Sequence, residues 1–397
     1  MGASMTTVAA ITKEIYGPRI VDQLENETVL TKRIEKTAKG TESTAGGKYV
    51  TFPLKVRRNH GLGYRNELEQ LQSPGQQGWN SVRVPLRYGY GRVHMSGQAM
   101  DLAEENYQAF ASAMTEEMNG LKDDIQKDTN RILWGNGLGV CATVDTGATG
   151  VNTISVGTDS TAVHFLDLDM QIDVLSSDGA TVRASNRKIT AVNESTGDFT
   201  FDGAVATVSV GDIVVRTGNY GKEPQGLTSL VKSSGTLFNL SAATEPKWKS
   251  YEDNSGGALS ESKMIAVCDR LRGAGGRPSV IFTDLATRRA YFNLLTTQRR
   301  FTGTKSFDGG FTGLTFSYDE DIPVVTDVDA PAGKMWFLRE DDFKIYRRNP
   351  WKWEDKDGAV WKWVNNYDAW EALMKQYWEF AIERRNTQAV MTGITPG

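Results

Sequence analysis

The sequence predicts an α+β protein organised around one long helix, with a small all-β insertion. Three observations carry this prediction. Residues 96–134 show helical periodicity, residues 48–56 and 79–90 alternate like strands, and residues 140–217 are rich in Thr, Ser, Asp, Val and Gly. The 397 residues suffice for two or three domains with ample core.

The composition is that of an ordinary soluble protein. Hydrophobic residues make up 39% and charged residues 24%, and the formal net charge of −4 does not indicate a nucleic-acid binder. No apolar run approaches the roughly 18 residues that a membrane-spanning helix needs, and no signal peptide is visible. Cys141 and Cys268 are too few for a disulfide framework, so a reducing compartment is expected.

Residues 1–47 hold few apolar positions among many charges, so they are expected to form an arm that lies on another surface. The strands at 48–56 and 79–90 contain Pro53 and Pro85, which cannot donate to a ladder, so both are predicted to be edge strands. Two edge strands form a lone ribbon, which is marginal in water without a partner. An ordinary surface hairpin is the alternative, but the long tip at 57–78 favours an intermolecular arm.

The long helix is predicted from apolar residues spaced three, four or seven apart, which are Tyr107, Phe110, Met114, Met118, Leu121, Ile125 and Ile132. Asp101 and Glu104 have capping-box spacing near its start. Gly135 and Gly137 follow Trp134 and are typical of a helix end. A span of roughly 30 residues would give a rod on the order of 45–50 Å.

The insertion at 140–217 shows short alternating runs separated by turn residues, which predicts a small all-β unit, with a barrel as one arrangement. After it, helices are expected at 258–272 and 284–297, and strands at 279–283, 314–318, 322–326, 335–339 and 377–391.

Four tryptophans flank a polar turn at 354–360, which predicts a hairpin. A two-residue loop would set Trp353 opposite Lys362, whereas a three-residue loop sets Trp353 opposite Trp361 and Trp351 opposite Trp363. The second register is favoured because cross-strand aromatic pairs stabilise sheets. The hairpin face that carries the four tryptophans packs against either the subunit's own core or a neighbouring subunit.

No set of residues predicts catalysis, a cofactor or a metal site. The histidines are His60, His94 and His164, and none has a Cys or His at metal-ligand spacing. Ser255 lies in a sequence similar to a serine-protease nucleophile loop, but the leading glycine and a histidine motif are missing. The glycines at 135–139 follow a helix rather than a strand, which argues against a dinucleotide cradle.

The order of arm, ribbon, long helix, α+β domain and returning sheet resembles the tailed-phage major capsid protein of the Hong Kong 97 type. Residues 218–227 (GNYGKEPQGL) are similar to the start of that family's axial A-domain, and residues 379–390 (EFAIERRNTQAV) to its closing strand. The resemblance covers nearly the whole chain except 140–217. It implies a 1–47 N-terminal arm, 48–95 E-loop ribbon, 96–139 spine helix of the peripheral P-domain, 140–217 insertion domain, 218–340 A-domain, 341–385 P-domain sheet and 386–397 C-terminal strand end.

The resemblance implies a non-enzymatic shell subunit of the virion, assembled in the host cytoplasm into hexamers and pentamers around DNA that it contacts non-specifically. Scaffolding, portal and decoration proteins are implied partners, and a membrane is not. The family often begins with a scaffolding segment that this chain lacks, so a separate scaffold and earlier removal both stay open. An encapsulin-like shell is the nearest alternative, and a β-rich carbohydrate-binding or hydrolytic protein built on 140–217 is a different class.

The expected intersubunit contacts lie on the ribbon and on the tryptophan-rich strands. They are Arg57, Arg58, Arg65, Glu67, Glu69, Trp79, Arg83, Arg87, Trp351, Trp353, Trp361 and Trp363. The arginines and glutamates of the ribbon suggest reciprocal ion pairs between neighbouring subunits.

In the family's founding member, a ribbon lysine is linked to an asparagine of a neighbouring P-domain. Asn365 and Asn366 lie near where that asparagine would fall, but no lysine occurs between Lys55 and Lys122. Lys48 and Lys55 are the amines nearest the base of the ribbon. The sequence therefore predicts a shell without covalent cross-links.

Overall fold

A computed structural model describes residues 28–37, 49–98, 107–157, 163–203, 207–297, 305–306, 312–355 and 360–395. Its helices are α1 (Val29–Thr37), α2 (Tyr107–Trp134), α3 (Leu227–Leu230), α4 (Glu261–Gly273) and α5 (Leu285–Thr297).

The strands up to the end of the insertion are β1 (Tyr49–Arg57), β2 (Gly78–Pro85), β3 (Arg87–Ser96), β4 (Val140–Thr143), β5 (Ala148–Thr149), β6 (Thr153–Ser155), β7 (Gln171–Leu175), β8 (Val182–Asn193), β9 (Asp198–Phe201), β10 (Thr207–Val208) and β11 (Ile213–Arg216). The later strands are β12 (Thr236–Leu237), β13 (Leu240–Ser241), β14 (Tyr251–Asp253), β15 (Val280–Thr283), β16 (Lys305–Ser306), β17 (Thr312–Ser317), β18 (Asp321–Thr326), β19 (Met335–Leu338), β20 (Phe343–Trp353), β21 (Trp361–Trp363), β22 (Ala369–Ile382) and β23 (Ala389–Met391).

The predicted ribbon exists as β1 and β2. These strands pair antiparallel, from Tyr49 opposite Pro85 to Lys55 opposite Trp79, and within the described residues neither strand pairs with a third. The prediction that both are edge strands is therefore confirmed. The strand predicted at 79–90 is wrong beyond Pro85, because Leu86 interrupts it.

The next strand, β3, belongs to a different sheet. It pairs antiparallel with β22 over its whole length, from Arg87 opposite Trp378 to Ser96 opposite Ala369. Tyr88 and Tyr90 continue the alternation of β2, and a period of two does not reveal which partner a strand takes.

The predicted tryptophan hairpin is wrong. Both β20 and β21 pair with the 14-residue strand β22 on the edge opposite β3, and they do not pair with each other. Trp353 lies opposite Met374, Trp361 opposite Ala372 and Trp363 opposite Trp370. The long strand β22 offers both segments a continuous row of backbone partners, which a short hairpin cannot match; the loop residues 356–359 lie outside the described residues.

The α+β domain contains a seven-stranded sheet in the order β14-β23-β19-β15-β18-β17-β16. Helices α4 and α5 and strands β15, β17, β18 and β19 confirm the elements predicted between 258 and 339. The closing strand predicted at 377–391 is wrong as one element, because β22 ends at Ile382 and β23 joins this second sheet.

The described residues of the predicted insertion, 140–217, are mainly β-structure, with an antiparallel six-stranded sheet in the order β4-β11-β7-β8-β9-β6 and one short 3₁₀ turn at Val163–Phe165. Its apolar side chains form their own cluster, which includes Ile172, Val174, Ile189 and Phe199. The backbone N–H of Asp145, two residues past β4, donates to the carbonyl of Ser155 in β6 over 2.9 Å. The sheet therefore curls until its two edges meet, in a nearly closed barrel.

The long helix α2 ends at Trp134 as predicted, and the left-handed residues that follow are Gly137 and Gly139, each with φ of +78°. The proposed capping residues Asp101 and Glu104 lie outside the described residues. The helix crosses β3 closely at Gly91, where an added Cβ would lie 3.0 Å from Ile125 Cδ1.

The described part of the N-terminal arm, α1, lies on its own subunit. Leu30 and Ile34 are buried in the main core, together with Trp134 of α2, Trp336 of β19 and Phe380 of β22. The segment thus provides no core of its own, as predicted, and covers a surface that the rest of the chain supplies.

Candidate intersubunit surfaces

The ribbon has one buried face and one exposed face. Val82 and Val84 are fully buried in the main core, and Phe52 packs against the same core. The expectation that the apolar face of the ribbon needs a neighbouring subunit is therefore wrong. Its outer face carries Trp79 and Tyr49, which are 62% and 50% exposed.

The ribbon tip (residues 58–77) leaves four large apolar side chains in solvent. Leu62, Tyr64, Leu68 and Leu71 are 86%, 102%, 101% and 83% exposed. Backbone and side-chain hydrogen bonds still give the tip a defined shape; for example, Gln72 Nε2 donates to the carbonyl of His60 over 2.8 Å. Exposed apolar side chains in a contiguous patch are typical of interaction sites.

The charged residues predicted on the ribbon lie in different environments. Arg57 Nη2 is 3.4 Å from Glu245 Oε1 of the same chain. Arg65 donates to backbone carbonyls within the tip, and Glu69 accepts from Asn66. Arg58 and Glu67 are exposed, and among the described residues neither has an ion-pair partner. These two are the tip charges most available to a neighbour.

Arg83 and Arg87 differ as well. The Arg83 side chain is exposed on the outer ribbon face, while its backbone N–H donates to Asn239 Oδ1 over 2.7 Å. Arg87 is half-buried, with its side chain 33% exposed and its Nε 3.7 Å from Oε2 of the fully buried Glu379 of the same chain. Arg87 therefore forms an ion pair within its own subunit rather than with a neighbour in this structure.

Glu379 joins the β22 strand to the segment that follows the insertion. Its Oε1 accepts from the backbone N–H of Gln225 over 2.5 Å. Burial raises the pKa of Glu379 to about 8, and the hydrogen bond from Gln225 and the charge of Arg87 oppose this rise. In the strand predicted at 377–391, Glu379 alternates with Trp378 and Phe380, which favours a polar face for Glu379, and no sequence signal reveals its burial.

Glu379 is expected to make stability depend on pH. Folding raises the pKa of Glu379, so protonated Glu379 contributes fully to the free energy of unfolding below its unfolded pKa of about 4.5. This contribution is lost as pH rises to the folded pKa of about 8, by at most ~1.4 kcal/mol per pH unit. Between pH 5.5 and 7.5 the wild type should lose about 2–3 kcal/mol relative to Glu379→Gln in urea unfolding. Glu371→Gln in the same strand is the control, and equal pH profiles for wild type and Glu379→Gln would contradict this assignment.

The four predicted tryptophans do not pair with one another. Trp351 packs on Gly89 of β3, where an added Cβ would lie 2.8 Å from Cη2 of the indole. Trp363 makes an edge-to-face contact with Trp370 at 5.5 Å between ring centroids. Trp353 and Trp361 are half-buried on β20 and β21.

A groove of about 710 Å³ lies between β3, α2 and the base of the insertion. Its lining includes Tyr88, Tyr90, Leu121, Asp124, Ile125, Phe165, Asp167, Thr217, Trp351 and Trp378. Sequence reasoning missed this groove because it forms only when three separate segments of the chain meet.

A buried charge network fixes the base of the insertion to α2. Arg131 is 5% exposed; its Nε lies 2.9 Å from Asp128 Oδ1 and its Nη2 lies 2.6 Å from Glu223 Oε1. Arg216, the last residue of β11, reaches Asp128 Oδ2 at 3.3 Å. Arg131 Nη1 also donates to the carbonyl of Val140 over 3.5 Å, so residues at both ends of the 140–217 segment contact one helix, and this helix lines the groove.

A second polar cluster anchors α1. The backbone N–H of Leu30 donates to Asp327 Oδ2 over 2.9 Å, and that of Thr31 donates to Asn130 Oδ1 over 3.1 Å. Asn130 Nδ2 donates in turn to Asp329 Oδ2 over 2.6 Å. The cluster links the N-terminal segment, the long helix and the seven-stranded sheet.

The chemistry available within the described residues is limited. No group of three or more His, Cys, Asp or Glu among them could hold a metal ion. Both cysteines are free and buried, and burial raises the pKa of Cys268 to about 12. None of the described helices has the length and apolarity to cross a membrane.

The fold is similar to solved structures of shell proteins over nearly the whole chain. The capsid asymmetric unit of cyanophage A-1(L) is 15% identical, with a TM-score of 0.59 over 99% of this chain and 100% of that chain. The capsid of a native GTA particle is 10% identical, with a TM-score of 0.55 over 99% of both chains. The holo-SrpI encapsulin complex from Synechococcus elongatus is 9% identical, with a TM-score of 0.51 over 99% of this chain and 96% of that chain.

No protein-family model matches the chain, and no curated protein matches it. The likeness therefore lies in the fold rather than in the sequence.

Proposed function

We propose, from the premise that this chain has the Hong Kong 97-type capsid fold, that it is the major shell protein of a tailed double-stranded DNA phage. In this proposal it assembles into the hexamers and pentamers of an icosahedral head and has no catalytic role. The observation that carries the proposal is the ribbon tip, because a single subunit leaves its four large apolar side chains uncovered.

The proposal includes the surfaces and partners of the shell. Arg58, Arg65, Glu67, Trp79 and Arg83 on the ribbon would contact neighbouring subunits, because their side chains are exposed at its outer face or tip. Scaffolding, portal and decoration proteins would be further partners, and packaged DNA would be contacted without sequence preference. Assembly would take place in the host cytoplasm, and the virion would be the final location.

An encapsulin-like compartment is the second candidate, which the fold similarity to the encapsulin supports. The two functions differ in what the particle encloses. A phage head would yield nuclease-protected DNA when particles are isolated from infected or producing cells, whereas an encapsulin would yield a protein cargo.

Sedimentation of the purified chain tests the shell function. A subunit of 43.8 kDa that forms shells should sediment partly as particles of several megadaltons, on the order of a hundred or more copies, as expected of a closed symmetric assembly. A single species at the monomer mass under all salt and scaffold conditions would contradict the proposal.

We further propose that residues 140–217 form an autonomous insertion domain. The separate apolar cluster and the nearly closed sheet support this division. The isolated segment is expected to give a β-rich circular dichroism spectrum and one cooperative unfolding transition. A disordered spectrum would contradict the boundaries. Docking of a decoration protein or a brace between capsomers would be its role.

The shell is expected to lack covalent cross-links. Asn365 and Asn366 lie in the exposed loop between β21 and β22, so a linkage acceptor is available. The tip instead offers arginines, whose guanidinium groups stay protonated and cannot attack an amide. Boiled particles should therefore run at the monomer mass in denaturing gel electrophoresis, and a ladder of higher species would contradict this prediction.

A further inference from the structure

A cleft of about 540 Å³ lies between the insertion and the loop that joins β18 to β19. The insertion lines the cleft with Val144, Val156 and Val210, and the loop lines it with Pro331 and Lys334. Because open space separates the two parts here, the side chains that bridge them decide how firmly the insertion is held against the rest of the subunit.

Two ion pairs join the insertion to the rest of the subunit among the described residues. Arg216 reaches Asp128 of α2 at the base of the insertion. His164, in the short 3₁₀ turn between β6 and β7, has its Nε2 3.5 Å from Oδ1 of Asp329, in the loop between β18 and β19. Arginine keeps its charge at every physiological pH, whereas histidine changes its charge between pH 5 and 8. Of the two contacts, the one at His164 is therefore the one that pH can switch.

His164 faces a pair of buried carboxylates. Asp327 and Asp329 are 1% and 4% exposed, and Asn130 Nδ2 donates to both, to Asp327 Oδ1 over 3.1 Å and to Asp329 Oδ2 over 2.6 Å. Burial raises the pKa of Asp327 and the charge of Asp329 adds to this rise, while hydrogen bonds from the backbone of Leu30, the backbone of Asp329 and the side chain of Asn130 oppose it. Among the described residues, His164 supplies the one cation within 4 Å of this pair. A protonated His164 therefore relieves the repulsion between two buried negative charges.

Other titratable and charged groups surround His164 at a greater distance. They are Tyr88 and Tyr90 of β3, Asp124, Lys127, Asp128 and Arg131 of α2, Cys141 of β4, Asp167 and Arg216 of the insertion, and Lys222 and Glu223 of the segment after it. Within the described part of the chain, none of them lies at ion-pair distance from His164, and Asp128, Arg131, Arg216 and Glu223 pair with one another. The charge that His164 meets most closely is therefore that of Asp329.

We propose that His164 and Asp329 form a pH-sensitive latch that holds the insertion against the loop between β18 and β19. The latch closes when His164 takes up a proton and pairs with Asp329, and it opens as pH rises and the imidazole becomes neutral. The closed form binds one more proton than the open form, so low pH favours it. The pair between Arg216 and Asp128 keeps its charges in both states, so the insertion pivots at its base rather than detaching. Both halves of the latch belong to one chain, so it does not depend on the shell function.

The native thiol of Cys141 reports on the latch. Cys141 lines the cleft, is 5% exposed and belongs to β4, against which the turn that carries His164 packs. Opening of the latch should uncover this thiol to methyl methanethiosulfonate, a small water-soluble reagent. Cys268 is fully buried in a different apolar cluster and reports on global unfolding instead. The unassembled full-length chain is labelled, and peptide mass spectrometry measures the rate at each thiol.

At pH 6.0, Cys141 of His164→Gln should react at least about fivefold faster than Cys141 of the wild type, because glutamine cannot carry the charge that closes the latch. At pH 8.0 the two proteins should react at equal rates, because the latch is then open in both. Each comparison is made at a single pH, so the pH dependence of thiolate formation and the ionisation of Glu379 cancel. His94→Gln, which replaces an exposed histidine of β3, is the matched control and should behave as the wild type at both pH values.

Equal rates for the wild type and His164→Gln at pH 6.0 would overturn the latch. The same rate ratio at pH 8.0 as at pH 6.0 would overturn it as well, because a ratio independent of pH indicates a packing role for the imidazole. Faster labelling of Cys268 in His164→Gln, or a His94→Gln variant that behaves like His164→Gln, would also contradict it. Each of these outcomes leaves the shell function standing, since sedimentation tests that function separately.

Discussion

Deleting the ribbon tip abolishes assembly and leaves a folded, soluble monomer. The deletion replaces residues 58–77 with an Asn-Gly turn, so that Arg57 and Gly78 at the ends of β1 and β2 stay paired. The removed side chains make few contacts with the rest of the subunit, so its free energy of unfolding should change by less than about 1 kcal/mol. Sedimentation and urea unfolding measure the two effects.

Substitutions in the ribbon tip separate the role of its four exposed apolar side chains from that of the length of the loop. Leu62→Ser, Tyr64→Ser, Leu68→Ser and Leu71→Ser together should also prevent assembly, because they remove the surface that a neighbour would cover. Val182→Ser with Val210→Ser is the control, since these valines are 58% and 69% exposed on the insertion. A deletion variant that aggregates or unfolds would mean that the tip packs within its own subunit, and one that assembles would mean that the tip is not a contact.

Arg385→Ala should cause the largest loss of stability. Arg385 is 2% exposed, and its guanidinium donates to the carbonyls of Leu230, Trp248 and Ser229 at 2.8, 3.3 and 3.3 Å. Burial lowers the pKa of Arg385 to about 10. Truncation leaves the carbonyls of buried Leu230 and Trp248 and of half-buried Ser229 without this donor and creates a cavity, so the free energy of unfolding should fall by about 3–5 kcal/mol.

The neighbouring residue provides a matched control. Arg384 is exposed and donates one hydrogen bond of 3.3 Å to the carbonyl of Gly275, so Arg384→Ala should cost less than about 0.5 kcal/mol. Arg385→Lys keeps the charge but loses the planar fork, and an intermediate loss is expected. Urea unfolding of these variants in the tip-deleted monomer avoids interference from assembly. A loss below about 1 kcal/mol for Arg385→Ala would show that water replaces its bonds.

Local patterns predicted the elements of this fold better than their partners. The periodicity of α2 and the glycines after Trp134 set the helix end correctly, because both depend on nearby residues. The alternation through Tyr88 and Tyr90 looked like one ribbon strand, yet β3 pairs with β22, almost 300 residues away along the chain. The tryptophan hairpin failed for the same reason, since it assumed that sequence neighbours pair.

The candidate surfaces also differ in whether the sequence could predict them. The exposed ribbon tip was predictable because it lies within one stretch of glycine, arginine and polar residues. The groove, the Arg131 network and the burial of Glu379 and Arg385 were not, because each depends on segments that meet only in the folded chain. Neither the glutamate at position 379, within β22, nor the arginine at 385, in the turn that follows it, carries a local sign of facing a core rather than water.

An electron micrograph of the purified wild-type chain tests the central claim most directly. The proposed function predicts closed, isometric shells of uniform size, together with free hexamers or pentamers when assembly is incomplete. The tip-deleted variant, prepared in parallel, should show only small single subunits. A field of monodisperse monomers from the wild-type chain, under conditions in which the protein is folded, would contradict the shell function.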